Sequence, residues 1–592
     1  MALLLDRPND VESKAPSNFS LKKLNLSTLL GIVVVVLIVV PVIYFLALAF
    51  FPRLSTPGAP IFSLTGFKYA FAGDALRGLL DSLGVSIASG AIATSIGLAL
   101  AWITKRTNVR FKKLISASVW FLLLVPTYLT TAGWQRLLEP GGILVRLHIG
   151  SLALFHPFFG PLGVIVVLGF SGIPFAYLTI GATVENLGAE LEDAARVHAA
   201  SRMKSLLIIA PIFMPAILSA FAIVFAESMS DFGVAYSLAA GAHFPMATYS
   251  LYTAIDSIPL NFSGAAAISW ILILSALVPL IIQRRLTKSK SYAIAGGRRR
   301  RATMVKLEGK AKVGVYAFLA AIFFLAILVP LVGILTSSLL SGFGGSISFS
   351  SLTISNYTRV FSSTLSGSPL WYSTLLSLMT ATITVAVGGY LASVLVRRGS
   401  SWGVKALDFV LLGSVALPGI VLGAGYIFSY NQPIFDHLGF AIYGTSKLLL
   451  LGYVASAIPG ASRLLVGPIS QVQSNMAMAS RVYGSNPSRA WRHAVLPFVA
   501  RALLSAWLLT FAKTLFELPM SQLLYPPGLY PLSVAINRLV AGYDYGGGSA
   551  MSIVALLYAL VIVGVASLIY RLVIPKGWKA LLNLEASKNE GF

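Results

Sequence analysis

Ionisable side chains inside apolar stretches are costly to bury, so they mark places where charge is put to use. Four of them stand at matching points of two segments. Glu227 and Asp231 lie in FAESMSDFGVAYSL (Phe225–Leu238), Lys513 and Glu517 in FAKTLFELPMSQLL (Phe511–Leu524). The segments align at an offset of 286, which sets Glu227 on Lys513, Ser228 on Thr514 and Asp231 on Glu517. An i,i+4 spacing puts each charged pair on one helix face. Two chemistries fit these residues. They form a gate that meets a cation in a translocation path, or Glu227 and Lys513 pair across two halves of the molecule. Asp81 and Asp408 read instead as cap or topology residues.

No pattern for catalysis accompanies them. The chain has no cysteine, which excludes disulfides, thiolate metal sites and thiol nucleophiles. GxxxxGK[ST], HExxH and GxSxG are all missing, and the six His have no ligand spacing. His156, His243 and His437 read as polar loop residues. We expect no catalytic residue, no metal site and no cofactor in this chain.

The elements that must position the charged residues are membrane spans. Of 592 residues, 57% are hydrophobic and 11% charged, against about 25% charged in a soluble protein. Apolar runs near 20 residues, enough to cross a bilayer, predict an all-α polytopic membrane protein. Twelve spans are expected: 26–51, 79–104, 114–137, 161–185, 206–229, 263–283, 314–341, 370–396, 406–430, 446–468, 496–517 and 549–571. The stretch 141–160 carries Arg146, two His and Gly, and reads as an external interfacial or re-entrant segment.

The net charge of +24 is not a nucleic-acid footprint. The basic residues collect in alternate connections: Lys22 and Lys23, then Lys105, Arg106, Arg110, Lys112 and Lys113, then the run from Arg284 to Lys312, then Arg397, Arg398 and Lys405. The intervening loop 230–262 holds no Lys or Arg. This is the positive-inside bias, with attraction to anionic lipid. It puts both termini in the cytoplasm of a multi-pass cell-membrane protein.

The basic segment 284–313 divides six spans from six more. It implies a cytoplasmic tail 1–25, a first unit 26–283, a linker 284–313, a second unit 314–572 and a tail 573–592. Six is even, so the repeat is parallel. DSLGVS (Asp81–Ser86) aligns with STLLSL (Ser373–Leu378). A polar loop is also repeated, about 285 residues apart: EDAARVHAASRMKSLLIIAP (Glu192–Pro211) and AMASRVYGSNPSRAWRHAVLP (Ala477–Pro497). Each copy runs into a proline expected to open an apolar helix. A loop repeated at one place in two apolar halves fits a two-site docking surface for a soluble partner.

That loop resembles the EAA motif of binding-protein-dependent ABC importer permeases: Glu-Ala-Ala, then Gly, then Leu-Pro at fixed spacing. In the second half Gly484, Leu496 and Pro497 keep the spacing, with Met478, Ala479 and Ser480 at the opening triplet. In the first, Asp193-Ala194-Ala195 matches the opening, Ala199 replaces Gly, and Pro211 falls one residue early. The stretch from Glu517-Leu518-Pro519 to Pro526-Pro527-Gly528 and Leu532 resembles the fused ferric iron and thiamine permeases. The resemblance covers about residues 26–572 and implies two tandem six-helix domains of the type I, MetI-like kind. It implies coupling helices that dock on two ABC ATPase subunits, Arg196 and Arg481 facing carboxylates there, with ATP and Mg on those subunits. It also implies an extracytoplasmic substrate-binding protein and a small solute, ferric iron first, with thiamine, polyamine, phosphonate or sugar as alternatives. An ion-coupled secondary transporter without an ATPase remains a rival of another class.

Overall fold

The computed structural model describes residues 26–573, apart from 150, 187–201, 289–303, 343–348, 363, 398–400, 416, 438, 440, 473–478, 481, 483, 485, 487, 488 and 490. Among the described residues the chain is helical, with no strand beyond two isolated bridges. The first half contains α1 (Leu26–Ala47), α2 (Gly73–Arg106), α3 (Lys112–Leu124), α4 (Thr127–Leu138), α5 (Pro161–Asn186), α6 (Arg202–Ser230), α7 (Ala247–Asp256) and α8 (Phe262–Lys288). The second contains α9 (Gly309–Phe323), α10 (Val329–Ser338), α11 (Thr364–Arg397), α12 (Trp402–Val415), α13 (Gly419–Tyr430), α14 (Ser446–Ser470), α15 (Leu496–Leu515), α16 (Pro519–Leu524), α17 (Leu532–Ala541) and α18 (Tyr545–Val573).

Ten spans are continuous, and two bent pairs bring the possible total to twelve among the described residues. The third span of each half is therefore not the single helix that apolar length alone implied. The segments on either side of the break meet at 98° for α3 and α4 and at 112° for α12 and α13. Pro126 and Pro418 cap the second helix of each pair. Proline pushes the residue before it out of the helical region, so each span breaks at that point. The segment 141–160 forms short turns, with Phe158 buried and stacked 5.1 Å from Trp134.

The halves exchange their first helices. α1 packs chiefly on α13 of the second half, and α10 on α4 of the first. Proline and glycine make both crossings close. A Cβ on Gly425 of α13 would stand 2.7 Å from the Pro41 carbonyl oxygen of α1. At the corresponding crossing, a Cβ on Gly133 of α4 would collide with the backbone of Pro330, and one on Gly333 with the backbone of Gly133. Small residues allow such backbone contact in lipid, where packing rather than water exclusion holds helices together. Pro41 lies inside α1 and brings no N–H, which frees the carbonyl of Leu37 four residues earlier. Tyr426 Oη of α13 donates to that carbonyl at 2.9 Å. The second half treats Pro330 differently: a π-helical turn, Phe324–Leu328, precedes it.

The largest apolar cluster spans both halves and includes Phe45, Phe225, Phe232, Ile420, Phe511 and Phe516. The linker is stitched to the first half at the turn between α2 and α3. Val305 N–H donates to the Arg106 carbonyl at 2.8 Å, Asn108 N–H to the Val305 carbonyl at 3.2 Å, and Leu307 N–H to Asn108 Oδ1 at 2.8 Å.

The crossings predict the effect of enlarging a side chain. Gly133→Leu should destabilise the purified protein by about 1–3 kcal/mol, the usual cost of overpacking, read as a lowered melting temperature in detergent. Gly314→Leu, where a Cβ meets nothing within 4 Å, should leave the melt unchanged. Equal melts for the two variants would show that the α4–α10 crossing is not tight.

Candidate translocation gate and coupling loops

The fifth span of the first half ends within a residue of its expected bound, and that of the second half two residues before it. α6 stops at Ser230 and α15 at Leu515, so Asp231 and Glu517 fall beyond the helices and do not share a continuous face with Glu227 and Lys513. Both carboxylates turn back on the chain that follows. Asp231 Oδ1 accepts the Val234 N–H at 2.7 Å, and Oδ2 accepts Thr127 Oγ1 at 2.8 Å, from the start of α4 just past the break. Glu517 Oε1 accepts the Met520 N–H at 2.8 Å, while Oε2 accepts the Ser521 N–H and Oγ at 2.9 Å each. Each acid thus caps the first turn after the span, satisfying backbone N–H groups that have no other partner at a helix start.

The backbone carbonyls of the same two acids anchor the next helix. Thr248 Oγ1 of α7 donates to the Asp231 carbonyl at 2.8 Å, and Ser533 Oγ of α17 to the Glu517 carbonyl at 2.5 Å. The starts of α7 and α17 are held in turn by the second span of each half. Ala247 N–H donates to Ser82 Oγ at 2.9 Å, and Leu532 N–H to Ser373 Oγ at 2.7 Å. Ser82 therefore corresponds to Ser373, one position away from the alignment that began at Asp81. Side chains without apolar contrast gave the sequence comparison no way to fix that register.

Ser228 and Thr514 are buried, whereas Glu227 and Lys513 are exposed. No ion pair joins Glu227 to Lys513 among the described residues. Lys513 Nζ instead sits 5.5 Å from the centre of the Phe175 ring of α5, in the other half. One turn away, matched aromatic pairs flank the seam: Phe221 and Phe225 at 6.3 Å, Trp507 and Phe511 at 5.6 Å. With Met229, Phe232, Leu515 and Phe516 they belong to the shared apolar cluster, which seals the halves against each other. Asp81 lies near Arg77 at 3.7 Å, and Asp408 pairs with Arg463 at 3.0 Å.

Beyond this cluster, at the Ser230 end of α6, lies a chamber of about 420 Å³. Tyr128, Tyr236, Tyr249, Tyr252, Asp256 and Asn537 are among its walls. Gln522 Nε2 of the second half donates to Tyr252 Oη at 3.3 Å across the seam. Burial, reinforced by the Asp256 carboxylate, pushes the Tyr236 and Tyr252 phenols above their ordinary range, so both are neutral hydroxyls at physiological pH. Sequence reasoning passed over Tyr249, Tyr252 and Asp256. Their i, i+3, i+7 spacing, one face of a helix, was the available signal.

Of the residues expected to dock a soluble partner, Asp193, Ala194, Ala195, Arg196, Ala199, Met478 and Arg481 lie outside the described residues. Ala479 and Gly484 are exposed and Ser480 is half-buried. Gly484 adopts φ +83°, with open space where a Cβ would stand, so the turn requires glycine for its backbone rather than for room. Pro497 is the second residue of α15, as a helix-opening proline should be. Pro211 departs from that expectation: α6 begins at Arg202 and carries Pro211 in its interior. No group of three His, Cys, Asp or Glu is placed to hold a metal among the described residues.

Residues 93–292 match the family described as the binding-protein-dependent transport system inner membrane component. A putative ferric transport system permease protein of Haemophilus influenzae is 24% identical over 451 residues, 74% of this chain and 69% of that protein. A ferric transport system permease protein of Actinobacillus pleuropneumoniae is 24% identical over 509 residues, 82% of this chain and 70% of that protein. A sulfate transport system permease protein of Escherichia coli is 26% identical over 216 residues, 34% of this chain and 71% of that protein. The resemblance carried by the repeated loop therefore holds: the chain is similar to importer permeases, those of the ferric type among them.

The geometry separates the two kinds of charge at the gate. A double-mutant cycle on Glu227→Gln and Lys513→Gln should give a coupling energy near zero. Glu517→Ala, which strips the cap from α16, should cost about 1–2 kcal/mol of stability, measured by thermal melts, while Glu227→Ala costs far less. A coupling above about 1 kcal/mol, the scale seen for residues in contact, would require the two spans to meet.

Proposed function

We propose that this chain, a permease subunit of an ABC importer, carries both permease domains of an ATP-driven system that moves ferric iron into the cytoplasm. An extracytoplasmic binding protein delivers the solute, and two ATPase subunits dock on the repeated loops. The observation that carries this reading is the similarity to ferric transport permeases over 82% of the chain, hence through both halves. Closure of the ATPases pulls on the loops before α6 and α15. The two fifth spans transmit that motion to the Asp231 and Glu517 caps at their far ends. The aromatic seam then parts, and the solute passes between halves that rock about the exchanged first helices. Sulfate is the second cargo to consider, because a sulfate transport permease is also similar to about a third of the chain. An ion-coupled transporter is less well supported, because Asp231 and Glu517 are committed to backbone N–H groups rather than open to a proton relay.

Two measurements test the reading. Gly484→Asp strains a left-handed turn and places a charge on the docking surface. It should abolish substrate-stimulated ATP hydrolysis and co-purification of the ATPase while the permease still inserts. Full stimulated hydrolysis would reject docking at that loop. The absence of native cysteine makes labelling clean. Ser291→Cys in the linker should resist a membrane-impermeant maleimide in intact cells, and Ser257→Cys should react. The reverse pattern would invert the topology.

A further inference from the structure

We propose that the tyrosine-lined chamber is a transit site for a hard, oxygen-seeking metal cation, held by Tyr249, Tyr252 and Asp256 of α7. This rests on the importer reading above and names the chemistry that receives its cargo. The three residues share one face of α7 and line the chamber together. Tyr252 and Asp256 stand one turn apart on α7, and the Tyr236 ring lies 5.8 Å from that of Tyr252 and 6.2 Å from that of Tyr249. Phenol and carboxylate oxygens are the donors that hard cations prefer.

A second observation marks the chamber as a place for a guest. Tyr128 Oη, Ser237 Oγ and Asn537 Nδ2 are buried in its wall with no hydrogen-bond partner in the protein. Tyr128 is 3% exposed. Buried polar atoms are otherwise almost always paired, and a guest in the chamber that drew these side chains inward would supply the missing partners. The local charge favours a cation. Arg136 also lines the chamber and is paired with Glu139 at 2.9 Å, whereas the Asp256 carboxylate on this wall has no ion pair among the described residues.

The site is one-sided. Val534, Asn537 and Ala541 stand on α17 where α7 carries Tyr249, Tyr252 and Asp256, so the second half adds an amide but no anionic donor. Two phenols and one carboxylate hold an ion without trapping it, as a path requires. On binding, each phenol oxygen bonds the metal in place of a bound water and gives its proton to solvent. No electron moves, and release reverses the exchange. Tyr252 is also the residue that Gln522 contacts across the seam. Metal at Tyr252 competes with that contact, so occupancy loosens the seal it rests on.

The test uses the full chain in detergent with ferric citrate as probe. Iron bound by phenolate should give a visible charge-transfer band. Tyr249→Phe with Tyr252→Phe should abolish the band, and Asp256→Asn should weaken binding about tenfold or more. Tyr543→Phe, an exposed tyrosine outside the chamber, should change neither. No band in the native chain, or a band that survives the double substitution, overturns the site. Uptake of radiolabelled iron and of radiolabelled sulfate, in cells that also make the ATPase and binding protein, separates the two levels. Iron uptake undiminished by the double variant rejects the transit site and leaves the ferric reading standing. Uptake of sulfate and not iron rejects the ferric reading itself.

Discussion

A carbonyl freed inside a lipid-embedded helix has no water to turn to, and an unmet one costs several kcal/mol. Pro41 creates such a carbonyl at Leu37, and the hydroxyl that meets it belongs to Tyr426, in the other half of the chain. The rest of the architecture follows from that dependence. α1 cannot settle within its own half, and α13 cannot close on itself while its glycine face expects a foreign helix. The reciprocal crossing of α10 over Gly133 completes the pair. Two bundles that each need the other's first helix are joined at both crossings.

Within that frame the twofold repeat survives in hydrogen bonds more faithfully than in residue types. Asp231 and Glu517 differ in length, and Thr248 and Ser533 differ by a methyl, yet each performs the same bond. The backbone groups to be satisfied are identical in the two halves, so any acceptor or hydroxyl of suitable reach will serve. Side chains that point away from this frame have diverged: Glu227 against Lys513, and a tyrosine face on α7 against an aliphatic and amide face on α17. The frame is common to the two halves, and the divergent residues are what make them unlike.

Much of this was legible in the sequence. Span number and helical class follow from apolar length, and the duplication from two segments in register. The prolines at 126 and 418 were visible, but the angle of each break depends on what the second helix packs against. The placing of Asp231 and Glu517 on helix faces failed because a span's hydrophobic run does not tell where its last turn ends. A carboxylate can cap the next helix as readily as extend the one before. The chamber was illegible for a different reason. Tyrosines at i, i+3 and i+7 look the same on a packed core as on a cavity wall, and Asn537 and Ser237 reach that wall from segments far apart in the chain.

The linker bonds between Val305, Leu307 and the α2–α3 turn bear on how such a molecule is inherited. A permease built from two separate chains must find its partner by collision, and each interface must be good enough to win against self-association. Here the partner is tethered, at an effective concentration on the order of millimolar, and its first helix is led past the correct neighbour. Mispairing of like with like is suppressed by geometry, not by affinity. The two copies are thereby released from having to recognise themselves, and each half is free to specialise while the stoichiometry stays fixed at one to one.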